Sequence, residues 1–97
     1  MKPLLFSPRA QADVEEIWGY STERFGVEQA DAYIREIQRA AQTIAKDPRR
    51  GRACDEIREG YRKFSVGSHV LFYRVAGESV VVVRILHQRM DFERHLE

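Results

Sequence analysis

The chain has 97 residues, of which 43% are hydrophobic, so it can bury one modest core and we expect a single domain over residues 1–97. Cys54 is the only cysteine, which excludes an internal disulfide and is typical of a reducing compartment. The net charge of +1 is too small to predict duplex DNA binding from electrostatics alone. No apolar run approaches the roughly 20 residues of a membrane helix, and the N-terminus lacks a signal peptide's apolar region, so we expect a cytoplasmic protein without membrane contact.

The first part of the chain predicts a short strand followed by a helix. Residues 2–6 are apolar and indicate an edge strand, and Ser7-Pro8 is a typical helix start, with Ser as the N-cap and Pro in the first position. The helix ends at Gly26, a residue type that readily takes the left-handed conformation of a helix terminus. Its apolar stripe comprises Ala10, Val14, Ile17, Trp18 and Ser21, whereas Asp13, Glu15 and Glu16 fall on or beside the opposite face.

A second helix follows so closely that the two helices should pack as an antiparallel hairpin. It ends at Asp47-Pro48, because proline cannot donate the next hydrogen bond and disfavours helix in the residue before it. The apolar stripe of this helix comprises Ala30, Tyr33, Ile34, Ile37, Ala41 and Ile44. Residues 47–60 are polar and predict a connecting loop, with a short strand near residues 54–57.

Residues 61–87 predict three strands joined by tight turns at Gly67-Ser68 and Ala76-Gly77. The second and third strands are apolar on both faces, which is typical of strands that are covered on each side. The helical hairpin must lie against this sheet, since no other large apolar surface is available. Residues 88–97 form a charged tail with one expected helical turn. The predicted class is α+β: an N-terminal strand, an α-helical hairpin and an antiparallel β-meander, in the order β-α-α-β-β-β.

Few groupings in the sequence indicate enzyme chemistry. Phosphate-binding and dinucleotide glycine motifs are absent, and the histidines and Cys54 lack zinc-like spacing, so we expect neither a metal nor a cofactor. A cationic group lies on or just beyond the meander: Arg62, Lys63, Arg74, Arg84 and His87. These side chains could converge on one sheet face and bind RNA phosphates, with His87 as acid or base. Alternatively, the arginine stems cover the sheet edge and His87 caps the last strand.

Three aromatic residues of the helices have different expected environments. Trp18 and Tyr33 lie on the apolar stripes, so we expect both in the core. Tyr20 lies off the stripe of the first helix and is the better candidate for contact with a partner.

Four segments of the sequence resemble the ParE toxins of bacterial toxin–antitoxin modules. They are LFSPRAQADVEEIWGYSTERFG, AKDPRRGR, IREGYRKFSVGSHVLFYRV and VVRILHQRMD. The most specific parts are the EGYRKF…GSHVLFYR block and ILHQRMD, and the resemblance spans about residues 6–91. It implies a RelE/ParE-like fold and the toxin component of a type II module, which inhibits DNA gyrase by binding and blocks replication. A ParD-type antitoxin would neutralise it in a hetero-oligomer.

The resemblance also implies where partners bind. An antitoxin segment would lie as a helix along the helical hairpin and continue across the sheet, so we expect Tyr20, Arg24, Tyr33 and Ile37 to contact it. The candidates for contact with the target are Arg62, Lys63, Arg74, Arg84 and His87. The resemblance implies no catalytic residue and no sequence-specific DNA binding by this chain alone.

Two other functions stay open. A ribosome-dependent mRNA endonuclease of the RelE type needs a base, an acid and a phosphate-stabilising cation around one 2′-hydroxyl. Nuclease members tend to carry an aromatic near the chain end, often directly after a histidine, whereas here Gln88 follows His87 and Phe92 is the only aromatic in residues 88–97. The third possibility is a protein-interaction domain without toxicity.

Overall fold

The computed structural model describes residues 1–96 and contains three helices and five strands in that range. The elements are β1 Leu4–Phe6, α1 Pro8–Phe25, α2 Val27–Lys46, β2 Arg52–Ala53, β3 Arg62–Val66, β4 His69–Ala76, β5 Ser79–His87 and α3 Phe92–His95. The strands form one sheet in the order β1-β5-β4-β3-β2. The predicted α+β class, the helical hairpin and the antiparallel meander β3-β4-β5 are confirmed.

Two strands of the sheet differ from the sequence-based expectation. β1 pairs with β5 in parallel, with Leu4 opposite Val80, so the sheet is mixed rather than antiparallel throughout. A parallel pair needs a long crossover connection, and the helical hairpin supplies part of it here. The short strand expected at residues 54–57 lies earlier, at Arg52–Ala53, because Cys54 begins a turn in which its carbonyl accepts the N–H groups of Ile57 and Arg58.

Glycines with positive φ set the two turns of the meander. The first turn is at Gly67, with φ of +56°, as predicted. The second is at Gly77-Glu78, one residue later than predicted, because Ala76 still pairs with Ser79. Gly77 has φ of +61°, a conformation that side chains with a Cβ rarely adopt.

The helix boundaries follow the predicted signals. The Ser7 side chain accepts the N–H of Ala10 at 3.0 Å and caps α1, as expected for Ser before Pro. Gly26 ends α1 with φ of +90° and also precedes the first residue of α2, which makes the hairpin connection a single residue. Within residues 1–96, no helix combines the length and the apolar character needed to cross a membrane.

Hydrophobic clusters cover both faces of the sheet, which confirms the prediction for the central strands. The larger cluster lies between the hairpin and the sheet and comprises Ala10, Ile17, Ile37, Ala40, Ala41, Ile44, Leu71, Tyr73, Val80, Val82 and Ile85. The smaller cluster lies on the outer face, the one away from the hairpin, and comprises Cys54, Val70, Phe72, Leu86 and Leu96. The tail covers part of this face, since the Phe92 ring of α3 meets the Phe72 ring edge-on at 4.9 Å between centroids.

Two residues of α1 depart from their predicted environments. Trp18 is 40% exposed instead of lying in the core, and its indole N–H donates to Asp31 of α2 at 2.8 Å. Asp13 was expected on the polar face but is buried. The buried set of α1 therefore includes an ionisable side chain, whose partner lies on β5.

Candidate functional site

A groove of about 670 Å³ opens where the turn end of the helical hairpin meets the first meander turn. We call it the hairpin groove, and its walls come from α1, α2, β4, β5 and the β3–β4 turn. The lining residues are Glu16, Ile17, Tyr20, Ser21, Phe25, Gln29, Ala32, Tyr33, Glu36, Ser68, His69 and His87. A concave, largely apolar surface with a few polar groups is the usual form of a binding site.

The α1 wall of the hairpin groove is aromatic and exposed. Tyr20 and Phe25 are each 59% exposed, although both are large apolar side chains. The Arg24 guanidinium lies 5.5 Å from the centroid of the Tyr20 ring, a cation–π arrangement that places Arg24 beside the groove. Exposed aromatics grouped along a concave surface indicate an interaction site.

The other end of the groove is polar and is organised around Tyr33. The Tyr33 hydroxyl lies 2.6 Å from Nδ1 of His69 and accepts the N–H of Ser68 at 3.2 Å. Gly67 makes this approach possible, since a Cβ there would lie 2.6 Å from Cε1 of Tyr33. The turn between β3 and β4 is thus fitted to the ring of a residue on α2.

The two histidines of the groove are in direct ring contact. The rings of His69 and His87 meet edge-to-face at 5.3 Å between centroids, and Nδ1 of His87 lies 3.2 Å from the N–H of Arg89, which donates to it. Burial and the neighbouring His87 lower the pKa of His69 below its ordinary value, so His69 is neutral at pH 7. The Tyr33 hydroxyl also donates to the Val66 carbonyl at 3.2 Å, so it links the end of β3 to His69.

Of the four residues predicted to contact an antitoxin, three lie in or beside the hairpin groove and one lies in the core. Tyr20 and Tyr33 line the hairpin groove, and Arg24 stacks on Tyr20 beside it. Ile37 does not, because it is fully buried in the cluster between hairpin and sheet. The expected contact of Ile37 with an antitoxin therefore conflicts with its place in the core. Its position on the centre of the α2 stripe directs it at the sheet.

The predicted cationic group does not converge on one sheet face. Arg62 is half-buried and donates to the Gly51 carbonyl at 2.7 Å, which ties β3 to the loop before β2. Lys63 pairs with Phe72 and shares the outer face with it. His87 lies in the hairpin groove on the other side.

Arg74 and Arg84, the remaining two of that group, border a separate small hollow of about 180 Å³. The structure thus distributes the five residues over both sides of the sheet and its edge. His87 therefore lines a different cavity from Arg74 and Arg84.

Arg84 has a structural role that the sequence reading missed. Its Nε and Nη2 donate to the Asp13 carboxylate at 2.8 and 3.0 Å, and Nη1 donates to the His95 carbonyl at 2.9 Å. Asp13 also accepts the N–H of Ile85 at 2.9 Å, at the edge of β5. The hydrogen bonds that Arg84 donates to the Asp13 carboxylate raise the pKa of Arg84 above its ordinary value, so the guanidinium stays charged.

A β-bulge brings this ion pair together. Phe72 pairs with Arg84 and Tyr73 pairs with Val82, so Val83 has no partner across the ladder. A bulge of this kind re-aims the neighbouring side chain.

A sequence signal could have placed Asp13 on the inner face of α1. It is the helical spacing of the buried residues of this helix, which are Ala10, Asp13, Ile17 and Ser21.

Metal chemistry finds no support in residues 1–96, where no three His, Cys, Asp or Glu side chains are grouped to hold an ion. Cys54 is buried in the smaller cluster, and burial raises the pKa of its thiol, with Glu56 adding to the effect. It is a protonated core residue rather than a reactive thiolate.

Comparison with known proteins assigns the family. The sequence model described as "ParE toxin of type II toxin-antitoxin system, parDE" matches residues 4–92. The chain belongs to the ParE toxin family. It is 61% identical over 93 residues to Toxin ParE1 of Mycobacterium tuberculosis (strain H37Rv), with 95% of each chain covered. It is 49% identical over 96 residues to Toxin ParE1 of Caulobacter vibrioides, with 99% of each covered.

Solved toxin–antitoxin structures share the ParE fold described above. One is described as the chromosomal ParDE TA system from P. aeruginosa, with a TM-score of 0.79 and 20% identity over 90% of this chain and 96% of that one. Another is the toxin-antitoxin complex RelBE2 from Mycobacterium tuberculosis, with a TM-score of 0.62 and 21% identity over 89% and 96%. The resemblance to ParE toxins inferred from the four sequence segments is confirmed.

Proposed function

We propose that this ParE toxin acts in the cytoplasm, inhibits DNA gyrase by binding, and is neutralised by a ParD-type antitoxin. The observation that carries the proposal is the likeness to ParE toxins over almost the whole chain, at 61% identity to one of them across 95% of both sequences. Solved structures of the same fold that are described as toxin–antitoxin systems support an antitoxin partner.

The distribution of polar side chains supports inhibition by binding rather than RNA cleavage. A general acid or base must reach the proton that it transfers, within hydrogen-bond distance or through one water. His87 lies in the hairpin groove, whereas Arg74 and Arg84 line a hollow on the far side of the sheet. Arg84 is further held by Asp13, and Arg62 by the Gly51 carbonyl. No cation of this group is placed beside the histidine to stabilise a cleaving phosphate.

The hairpin groove is the surface that we assign to the antitoxin. An amphipathic helix inserts its apolar face into such grooves, with aromatic side chains as the main anchors. Tyr20 and Phe25 provide that apolar wall, and Tyr33 forms the floor towards the first meander turn. Arg24 stands beside the wall, where a carboxylate of the antitoxin would add specificity and speed association.

The gyrase proposal is tested with purified toxin, gyrase, ATP and supercoiled plasmid. We expect cleaved plasmid to accumulate, and added antitoxin to prevent it. In cells, induction should stop growth with filamentation and a DNA-damage response. Rapid loss of messenger RNA with intact DNA would instead establish the RelE-type nuclease function.

His87→Ala separates the two mechanisms at the level of one residue. A toxin that acts by binding should keep most of its activity when the fold survives the substitution, as checked by circular dichroism. Acid–base groups contribute about 10²–10⁴-fold in rate. A loss of that size in the folded variant contradicts the binding mechanism.

A further inference from the structure

The small hollow on the outer side of the sheet is lined by arginines. It has a volume of about 180 Å³ and lies where the start of α1 meets β4 and β5. Arg9, Arg74 and Arg84 contribute to its walls, together with Tyr61 and Ser7. None of the side chains that line it, within the described chain, is acidic. The hollow therefore concentrates positive charge in a space large enough to admit a small anion.

The three arginines of the hollow are in different electrostatic states. Arg84 is neutralised by Asp13 and held in place by it. Across residues 1–96 the ion pairs are Arg84–Asp13 and Arg94–Asp91, so Arg9 and Arg74 meet no carboxylate in that range. Both are exposed. Arg84 thus forms a fixed wall, while Arg9 and Arg74 have guanidinium groups available for a ligand.

Further cations continue across the same face of the sheet. Arg74 is two residues along β4 from Phe72 and so projects on the outer side, and Lys63 projects there as the pairing partner of Phe72. Arg52 lies directly opposite Lys63 in the β2–β3 pair. Like charges in that position repel each other and destabilise the pair. The repulsion is relieved if an anion lies across both strands.

The chemistry of this face favours a nucleic acid over a protein. We call Arg9, Arg74, Lys63 and Arg52 the cationic row. The exposed large aromatics of the described chain all lie on α1, away from this row; they are Trp18, Tyr20 and Phe25. Protein interfaces need buried apolar anchors, whereas interfaces with nucleic acids are more polar and much more positively charged. Arginine also presents a planar fork that matches a phosphate.

We propose that the outer face of the sheet binds the phosphodiester backbone of a nucleic acid. Arg9 and Arg74 hold one phosphate at the hollow, and Lys63 and Arg52 contact neighbouring phosphates. These contacts carry no sequence information, and with so few of them the binding is weak. Its affinity falls with rising salt in proportion to the number of phosphates that the cations neutralise. The proposal stands apart from gyrase inhibition, because it concerns the toxin and a nucleic acid alone.

The test is fluorescence anisotropy with the full chain and labelled 20-nucleotide probes: single-stranded DNA, the matching duplex, and RNA of the same sequence. Affinity is measured from low to physiological salt. We expect Arg74→Gln and Arg9→Gln each to weaken binding to all three probes and to reduce the salt slope by about 1. Arg35→Gln on α2 removes the same charge from an exposed site remote from the row and should leave the slope unchanged.

Several results would overturn the proposal. One is the absence of binding even at low salt, and another is an equal effect of Arg35→Gln and Arg74→Gln, which would reduce the effect to net charge. A third contrary result would come from titrations with inorganic phosphate and with polyglutamate. If phosphate binds more tightly than the oligonucleotides, the face is a site for small anions; if polyglutamate does, it is a site for acidic protein. Thermal melts of each variant verify the fold. A toxin that binds the probes but leaves gyrase unaffected would retain this proposal and remove the gyrase function.

Discussion

The two ends of the helical hairpin meet the sheet in opposite ways. At the end where α1 begins and α2 finishes, small residues bring helix and sheet together, and Ala41, Ile44 and Ala45 are fully buried. At the turn end, Tyr20 and Phe25 stand exposed and the hairpin groove separates the helices from the first meander turn. One amphipathic hairpin thus closes against the sheet at one end and leaves an open groove at the other.

The difference arises from side-chain size and polarity along the same two stripes. Alanines at the sealed end leave no gap that a partner could enter, and their burial contributes to stability alone. Tyrosine and histidine at the open end present apolar bodies with polar tips, which suit a surface that is exposed in one state and covered in another. Substitutions at the sealed end should therefore change stability, and those at the open end should change binding.

The largest effect is expected for Asp13→Ala, which breaks the sealed end. Removing the carboxylate leaves Arg84 and the N–H of Ile85 without their partner in a mostly buried position. Loss of one member of a buried pair costs about 3–5 kcal/mol. Urea unfolding should show this loss, while Glu15→Ala, which removes an exposed acid from the same helix, stays within about 0.5 kcal/mol of the parent. Equal stabilities would mean that the pair adds nothing to the fold.

Tyr73→Phe is expected to have the next largest effect. The Tyr73 hydroxyl donates to the Pro48 carbonyl at 2.7 Å and accepts the N–H of Gly51 at 2.9 Å, and so fixes the loop after α2. Each buried group left unpaired costs about 1–3 kcal/mol, so we expect a loss of about 2 kcal/mol in the free energy of unfolding. Tyr20→Phe removes an exposed hydroxyl and is the matched control with no expected change. If Tyr73→Phe leaves the free energy of unfolding unchanged, other contacts hold the loop after α2 in place.

At the open end, Tyr20→Ala should weaken antitoxin binding by about 1–2 kcal/mol or more, because aromatic anchors dominate such interfaces. Stability should change little, since Tyr20 lies outside the core. Calorimetry against the antitoxin's C-terminal peptide, with thermal melts of the free variants, measures both. Trp18→Ala removes another exposed aromatic of α1 that does not line the groove, and its affinity should match the parent. Unchanged affinity for Tyr20→Ala would take Tyr20 out of the interface.

The smallest expected effect is a pH dependence of stability from His69. Its neighbours are Tyr33 from α2 and His87 from β5, while Asp13 from α1 opposes the pKa lowering weakly. A histidine with a lowered folded pKa binds fewer protons than its unfolded form, so stability is complete above about pH 6.5 and falls as the pH drops towards the folded value. Melting temperatures from pH 7.5 to 5 should show that fall in the parent and a flatter profile in His69→Gln. Identical profiles would refute the assignment.

Sequence periodicity was sufficient for the hairpin, its caps and the meander, because each rests on local signals such as Ser7-Pro8 and Gly67. It failed where a distant partner decides the environment. The local sequence predicts that Asp13 is a solvated acid, because nothing near it in the chain indicates its hydrogen bonds with Arg84 of β5. The bulge at Val83 has no local mark within a run of valines, so the positions of the cations after it could not be derived.

The candidate site was predictable in part for the same reason. Tyr20 was identified by its displacement from the stripe, a local property, and it lines the groove. The polar end could not be derived, because Tyr33, Ser68 and His69 meet only through the packing of α2 on the first meander turn. The assignment of Ile37 to the surface failed because a stripe does not reveal which of its residues face the sheet most directly.

The parallel pairing of β1 with β5 also bears on how the toxin acquires its fold during synthesis. Leu4 pairs with Val80, and Asp13 forms an ion pair with Arg84. The contacts of β1 and α1 can therefore form only after β5 has been synthesised. Closing such long loops is entropically costly, and folds rich in distant contacts form slowly. His87, one wall of the hairpin groove, follows later still. If the hairpin groove is the antitoxin site, as proposed, a nascent toxin passes through an interval in which that site is incomplete, because it forms only after β5 has been synthesised and packed.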